Sequence, residues 1–194
     1  MFISYNIFIS NGVLTPPPEY FSQVYHRVRS AGGLVVADEV QSGLCRLGDN
    51  TWAFEDAGVV PDIVTAGKPL GDGHPLSAVV TTPEIAAAFA ERYHYFNTFG
   101  GNPVSAAVGS AVLDVIEEEQ VLKNVHDTGH YLREGLLALQ KRFERMGDVR
   151  GKGLFYGIEL VVDRETREPA PSDAAKVREF LRKNGVLLSV TGPL

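Results

Sequence analysis

The sequence predicts an α/β fold: a mainly parallel sheet followed by a smaller α+β lobe. Three observations carry that prediction. Short apolar runs, "LVVAD" at 34–38, "DIVTAGK" at 62–68 and "SAVVTT" at 77–82, have the length and β-branched content of buried strands. Helical periodicities flank them, in "EYFSQVYHRVRSAGG" before the first and "PEIAAAFAERY" after the third, and this alternation is that of βαβ units. Beyond Gly147 the pattern changes to a glycine-bearing strand, a helix and a further strand. The expected domains are therefore a partial large domain over 1–120 and a partial small domain over 121–194.

Taken in order, the opening "MFISYNIFIS" reads as a strand, and "PPP" at 16–18 breaks the chain. In the helix that follows, Phe21, Val24, Tyr25 and Val28 keep helical spacing, and Gly32 and Gly33 serve as its stop. The strand ending at Asp38 leads through a loop with Gly43 and Gly48 to a short helix in "TWAFEDAG". After "FNTFGGN" a helix starts with Asn102 as cap and Pro103 in the first turn, where a missing N–H costs nothing. Its stripe of Val104, Ala107, Val108, Ala111, Val112, Val115 and Ile116 predicts one buried face. A second seam runs through Leu122, Val125, Leu132, Leu136, Leu139, Phe143 and Met146, interrupted by Gly129. "DVRGKGLFYGIELVVD" reads as one strand, "SDAAKVREFLRKNG" as a helix capped by Ser172 or Asp173, and "VLLSV" as a last strand.

Composition narrows the function classes. Eighteen basic against twenty-four acidic residues give a net charge of -6, with no basic block to track a phosphate backbone, so nucleic acid is not expected as a partner. The single cysteine, Cys45, forms no internal disulfide and requires no oxidising compartment, and a cytoplasmic location is expected. The apolar opening lacks a basic start and a small-residue cleavage site and is too short to span a bilayer, so neither a leader nor a membrane is expected. No metal site is expected.

In a parallel sheet, ligands bind beyond the carboxyl ends of the strands. Asp38 ends one apolar run, and Lys68 closes the next, 30 positions later. The glycines of "GKPLGDGHP" let the backbone pass close to whatever the lysine meets. An acid and an amine at two strand ends suit a pocket needing a buried anion and a nucleophilic or basic nitrogen. Taken singly neither is distinctive: a strand-terminal acid often forms a turn, and a lone lysine is usually solvated. Nucleotide motifs fail, because a phosphate loop needs glycine where Asp62 stands and Ser or Thr where Pro69 stands. "GKGLFYG" likewise misses G-x-G-x-x-G by one position.

Together, "VVADEVQSGLCRLG", "PDIVTAGKPLGDGHPLSAVVTT", "FNTFGGNPVSAAVGSAVLDVI" and "GDVRGKGLFYGIEL" resemble successive blocks of class III aminotransferases, the fold-type I enzymes that use pyridoxal 5'-phosphate. The match runs from residue 12 to 193 in order and spacing. That cofactor is an electron sink, deeper when its pyridine nitrogen is protonated. The resemblance assigns Asp38 to this nitrogen, where a carboxylate in a dry site favours the protonated ring. It places Gln41 near the ring's phenolic oxygen and Val40 with the cofactor, and gives Glu39 a supporting role. Lys68 is similar to the lysine that forms the internal Schiff base and afterwards shuttles protons. Thr98 resembles the threonine that donates to the cofactor phosphate from the neighbouring subunit, which implies a homodimer with shared active sites acting on an amine or amino acid and a 2-oxo acid. His74 either touches substrate or shapes its loop. Trp52, Phe54, Tyr95 and Phe96 read as packing and Arg150 as a solvated strand-edge arginine.

Within the class, "GDGHPLSAVVTT" and the ending "VLLSVTGPL" look most like the branch of ethanolamine-phosphate phospho-lyases, while "TTPEIAAAF" and "FNTFGGNP" are similar to mitochondrial-type alanine-glyoxylate aminotransferases. Both chemistries remove a substrate proton; they part at whether the carbanion is reprotonated or expels phosphate from the neighbouring carbon. Transamination is the class default and ranks first. A complete class III subunit is considerably longer, and its amino-side half supplies a phosphate cup rich in glycine and serine and a ring that stacks on the cofactor. Neither motif is present, "ISNGV" at 9–13 departs from the usual glycine-rich pattern, and "TGPL" precedes the segment that commonly carries a substrate-binding arginine. The expectation is a carboxyl-side portion of such an enzyme, with a non-catalytic remnant needing a partner chain as a third reading.

Overall fold

The computed structural model describes residues 1–191, so Gly192, Pro193 and Leu194 of the "VLLSVTGPL" ending lie outside the described residues. The chain forms two units, one built from Met1–Asn6 and Pro16–His126, the other from Ile7–Thr15 and the chain from Asp127 onward.

The first unit is built on a sheet in the order β1 (Phe2–Ser4), β2 (Val35–Asp38), β3 (Ile63–Ala66), β4 (Ala78–Thr81). β1, β2 and β3 are parallel and β4 is antiparallel to β3, which agrees with the mainly parallel expectation. Val35, Val36 and Ala37 are fully buried, as a two-faced strand requires. Helix α1 (Tyr20–Ser30) turns Phe21 and Tyr25 inward with their rings edge to face, 6.4 Å apart. It stops where expected: Gly32 takes φ +73 and Gly33 N–H returns to the Val28 carbonyl. Arg29 near its end ion-pairs with Asp62 at 2.8 Å, and Asp62 also accepts from Val35 N–H, which ties helix to sheet. Burial alone would raise the Asp62 carboxyl, but the Arg29 hydrogen bond and charge hold it below the usual range.

The short helix α2 is Ala53–Asp56, and α3 (Pro83–Arg92) and α4 (Pro103–Glu118) carry Thr82 and Asn102 as caps. In α4 the buried face is not the predicted stripe. Ser105 and Gly109 are buried, whereas Val104 and Val115 are exposed. The reason is close approach: a Cβ at Gly109 would lie 2.7 Å from Leu76 Cδ2, so only the small-residue side fits against the loop after β3.

The opening apolar run is split rather than one strand. Only Phe2–Ser4 pairs with β2, and Ile7, Ile9 and Val13 are buried in the second unit. Helix α5 (Val121–Arg142) runs unbroken through Gly129, whose missing Cβ admits the Gly153 backbone. The expected single strand over 148–163 is a hairpin of β5 (Met146–Lys152) and β6 (Phe155–Leu160). Gly151 and Gly153, both at positive φ, make its tight end, and a side chain at Gly151 would collide with the Phe155 carbonyl. Helix α6 (Pro171–Lys183) begins after Ala170, so neither Ser172 nor Asp173 is its cap; Asp173 instead pairs with Arg145 at 3.3 Å. Residues 186–190 form no strand, and among the described residues no ladder partner stands beside them.

Candidate active site

The ends of β2 and β3 lie side by side. Asp38 is aligned with Thr65, and Glu39 N–H donates to the Thr65 carbonyl at 2.8 Å. The two adjacent acids then separate, because alternate side chains leave a strand on opposite faces. Glu39 is 1% exposed, and its carboxylate accepts from Ser42 Oγ (2.8 Å), Ala53 N–H (3.1 Å) and Phe54 N–H (2.9 Å). It anchors the start of α2. Burial raises its pKa, and those three hydrogen bonds counter only part of the rise. Asp38 is half-buried at the sheet margin, and its Oδ1 accepts from Val40 N–H at 3.1 Å.

Lys68 follows Gly67 at the end of β3 and opens a 3₁₀ turn, Lys68–Gly71. Its backbone has φ +29, a strained value for a residue with a side chain, and the side chain is exposed. Successive turns hold the loop: Leu70 N–H donates to Gly67, Asp72 to Pro69 and His74 to Gly71. A Cβ on Gly67 would touch both Val40 methyls at 3.6 Å, so the turn after Asp38 and the turn into Lys68 pack directly against each other. Gln41 is half-buried in the first of these turns.

Thr98 is exposed in the segment between α3 and α4, flanked by Tyr95, Phe96 and Phe99, which are 69%, 78% and 81% exposed. The packing expected of Tyr95 and Phe96 is therefore absent within this chain. Asn97 Oδ1 accepts from Phe99 and Gly100 N–H, and Asn102 Nδ2 donates to the Phe99 carbonyl, so the segment is an ordered turn. Trp52 packs on Gly43, where a Cβ would lie 2.9 Å from its Cε3. Arg150 is not a solvated edge residue. It donates to the Gly12 carbonyl at 2.7 Å and pairs with Asp148 and Glu159 at 2.9 and 2.6 Å.

Sequence reading missed Ser42 and Ser105. Ser42 is a partner of buried Glu39, and Ser105 bonds His74 Nε2 at 2.8 Å across 31 positions. A contact that long-range leaves no spacing signal. Among the described residues no cluster of three or more His, Cys, Asp or Glu is placed to hold a metal ion.

The sequence profile described as "Aminotransferase class-III" matches residues 7–194. The chain belongs to the class III aminotransferases. Among curated class III relatives, it is 51% identical over 99% of its length to the Drosophila melanogaster "Alanine--glyoxylate aminotransferase 2-like" protein, covering 39% of that protein. It is 48% identical over 94% of its length to the Caenorhabditis elegans "Ethanolamine-phosphate phospho-lyase homolog 1", covering 40%. Its fold matches an Arthrobacter phospholyase solved in complex with phosphoethanolamine, with TM-score 0.94, 43% identity, and 98% and 45% of the two chains covered. It also matches a Bifidobacterium kashiwanohense taurine:2-oxoglutarate aminotransferase in complex with PLP and glutamate, with TM-score 0.88, 27% identity, and 96% and 44% covered. These class III neighbours share the fold-type I architecture. The chain spans about two fifths of the length of the curated relatives it matches.

Proposed function

We propose that this chain is the carboxyl-side portion of a pyridoxal-phosphate-dependent aminotransferase acting on an amine or amino acid and a 2-oxo acid, with Lys68 and Asp38 as its catalytic pair. One observation carries the reading: within a class III chain, the lysine and the acid stand at adjoining carboxyl ends of neighbouring parallel strands, joined by Val40 packed on Gly67. That donor set fits the cofactor. When bound, the cofactor supplies an electron sink for the bond that breaks at the substrate carbon. Lys68 would hold it through Nζ, and the same amine would move a proton at the substrate carbon. The strained backbone at Lys68 supports such a role, since strain of this kind is retained where geometry matters more than stability.

Asp38 holds a proton on the ring nitrogen by charge. Its carboxylate is oriented by Val40 N–H, and its half-buried margin strengthens the interaction relative to water. Gln41 lies in the same turn and would donate to the ring's phenolic oxygen, and Val40 would line the ring's side of the site. Thr98, exposed among aromatic side chains, donates to the cofactor phosphate of a second copy, which makes the working form a homodimer with shared sites. The single cysteine is buried and demands no oxidising surroundings, which supports the cytoplasm as compartment.

A second reading rests on the Arthrobacter phospholyase match: elimination of phosphate from a phosphorylated amino alcohol. The two chemistries separate in one assay on the cofactor-loaded protein. Amino transfer to pyruvate or glyoxylate without phosphate release from phosphoethanolamine supports the first reading; the reverse supports the second. Inactivity in both, with cofactor bound, overturns both.

A further inference from the structure

His74, on the loop that begins at Lys68, is half-buried, and its Nε2 lies 2.8 Å from Ser105 Oγ in the first turn of α4. Ser105 is itself buried, and its hydroxyl oxygen also meets Asn102 Nδ2 at 2.9 Å. The orientation of the Asn102 amide is fixed, because its Oδ1 accepts from Ser105 N–H at 3.0 Å, so Nδ2 must donate. Ser105 Oγ can accept from Asn102 Nδ2 and still share a hydrogen bond with His74 Nε2, because a hydroxyl has two acceptor lone pairs and one proton, and the imidazole tautomer sets which of the two groups donates. Asn102 Nδ2 reaches back to the Phe99 carbonyl at 2.7 Å, within the turn that presents Thr98. One node of three side chains thus joins the segment that starts at Lys68 to the segment that carries Thr98.

We infer that His74 is a positioning residue: through Ser105 and Asn102 it clamps the Lys68 loop to the Thr98 turn and holds the two cofactor-binding segments at fixed separation. The loop needs such an anchor. Lys68 and Asp72 both have positive φ, and a strained stretch keeps its shape only where its surroundings over-determine it. Leu76 against Gly109 supplies an apolar contact beside the node, but no direction; the hydrogen bonds supply direction. The inference deepens the cofactor reading and rests on it for its catalytic meaning.

The test compares wild type with His74→Phe, His74→Gln and Ser105→Ala in the full 194-residue chain. Amide hydrogen exchange is followed over 68–76 and 97–102, and Lys68 labelling by pyridoxal phosphate plus borohydride is read by peptide mass spectrometry. His74→Phe and Ser105→Ala are expected to speed exchange in both segments about fivefold to tenfold, the scale of one lost buried hydrogen bond, with β2 and β3 unchanged. They raise the cofactor concentration for half-labelling by a similar factor. His74→Gln, which places an amide where Nε2 stood, restores both readouts to within about threefold of wild type. Unchanged exchange in Phe and Ala variants overturns the clamp, as does a Gln variant that behaves like Phe. Absence of labelling on wild-type Lys68 overturns the cofactor reading instead, and the exchange result then decides the clamp by itself.

Discussion

Two carboxylates one position apart hold different environments, and their responses to mutation should differ in kind. Glu39 accepts two backbone N–H groups with its two oxygens and a hydroxyl besides. An amide has one acceptor oxygen, so Glu39→Gln turns an NH₂ toward a donor and is expected to cost about 1–3 kcal/mol in urea unfolding. The pH dependence has an unusual sign for an acid. Because burial raises the folded-state pKa of Glu39, the native state binds its proton more readily than the unfolded state. Its contribution to stability is complete below the ordinary glutamate pKa and is lost as pH rises through the raised value. Glu39→Gln should abolish that segment of the stability profile. Asp38→Asn should leave stability within about 0.5 kcal/mol, since an amide oxygen can still accept from Val40 N–H as Oδ1 does. It should instead weaken pyridoxal phosphate binding by about tenfold or more, the charge to the ring being lost. Equal stability losses at both positions would refute this division.

At the scale of elements, close backbone approach explains more than propensity does. Gly129 sits inside α5, where alanine would ordinarily gain about 1 kcal/mol. Here a Cβ meets the Gly153 backbone at the hairpin end. Gly129→Ala is therefore expected to destabilise the second unit by about 1–3 kcal/mol, visible as earlier loss of exchange protection in β5 and β6. Such contacts also mark what sequence could reveal. Strand ends at Asp38 and before Lys68, the cap Asn102 with Pro103 in the first turn, and the stop at Gly32 are legible because each is set by a few consecutive residues. The buried face of α4 is not, since its small-residue side is chosen by Leu76, a partner distant in sequence. The hairpin that replaces the single strand expected over 148–163 is hidden for a related reason: its turn is set by Gly151, where a Cβ would collide with the Phe155 carbonyl across the ladder. The bond between His74 and Ser105 lay beyond any local pattern.

For the whole molecule, the question is whether an active site belongs to one chain or two. Tyr95, Phe96 and Phe99 are exposed in an internally ordered turn, so exposing them costs free energy that a second copy would recover. If Thr98 of one copy serves Lys68 of the other, subunit mixing gives a result that no single-chain site can produce. Lys68→Ala removes the tether, and Thr98→Val removes the phosphate donor; each homodimer then lacks any complete site. In a heterodimer, the two lesions fall together in one site and the other site is wild type. Random mixing at equal concentration makes half the dimers mixed, so about a quarter of all sites should regain tight pyridoxal phosphate binding. Binding is read from the visible absorbance of the bound cofactor, and assembly from light scattering. If each chain carries its own complete site, mixing yields only the average of the two variants and recovers no tight sites. Phe96→Ser with Phe99→Ser supplies the control: it should shift the mass toward monomer and abolish the recovery, because the complementing site exists only while two copies are joined.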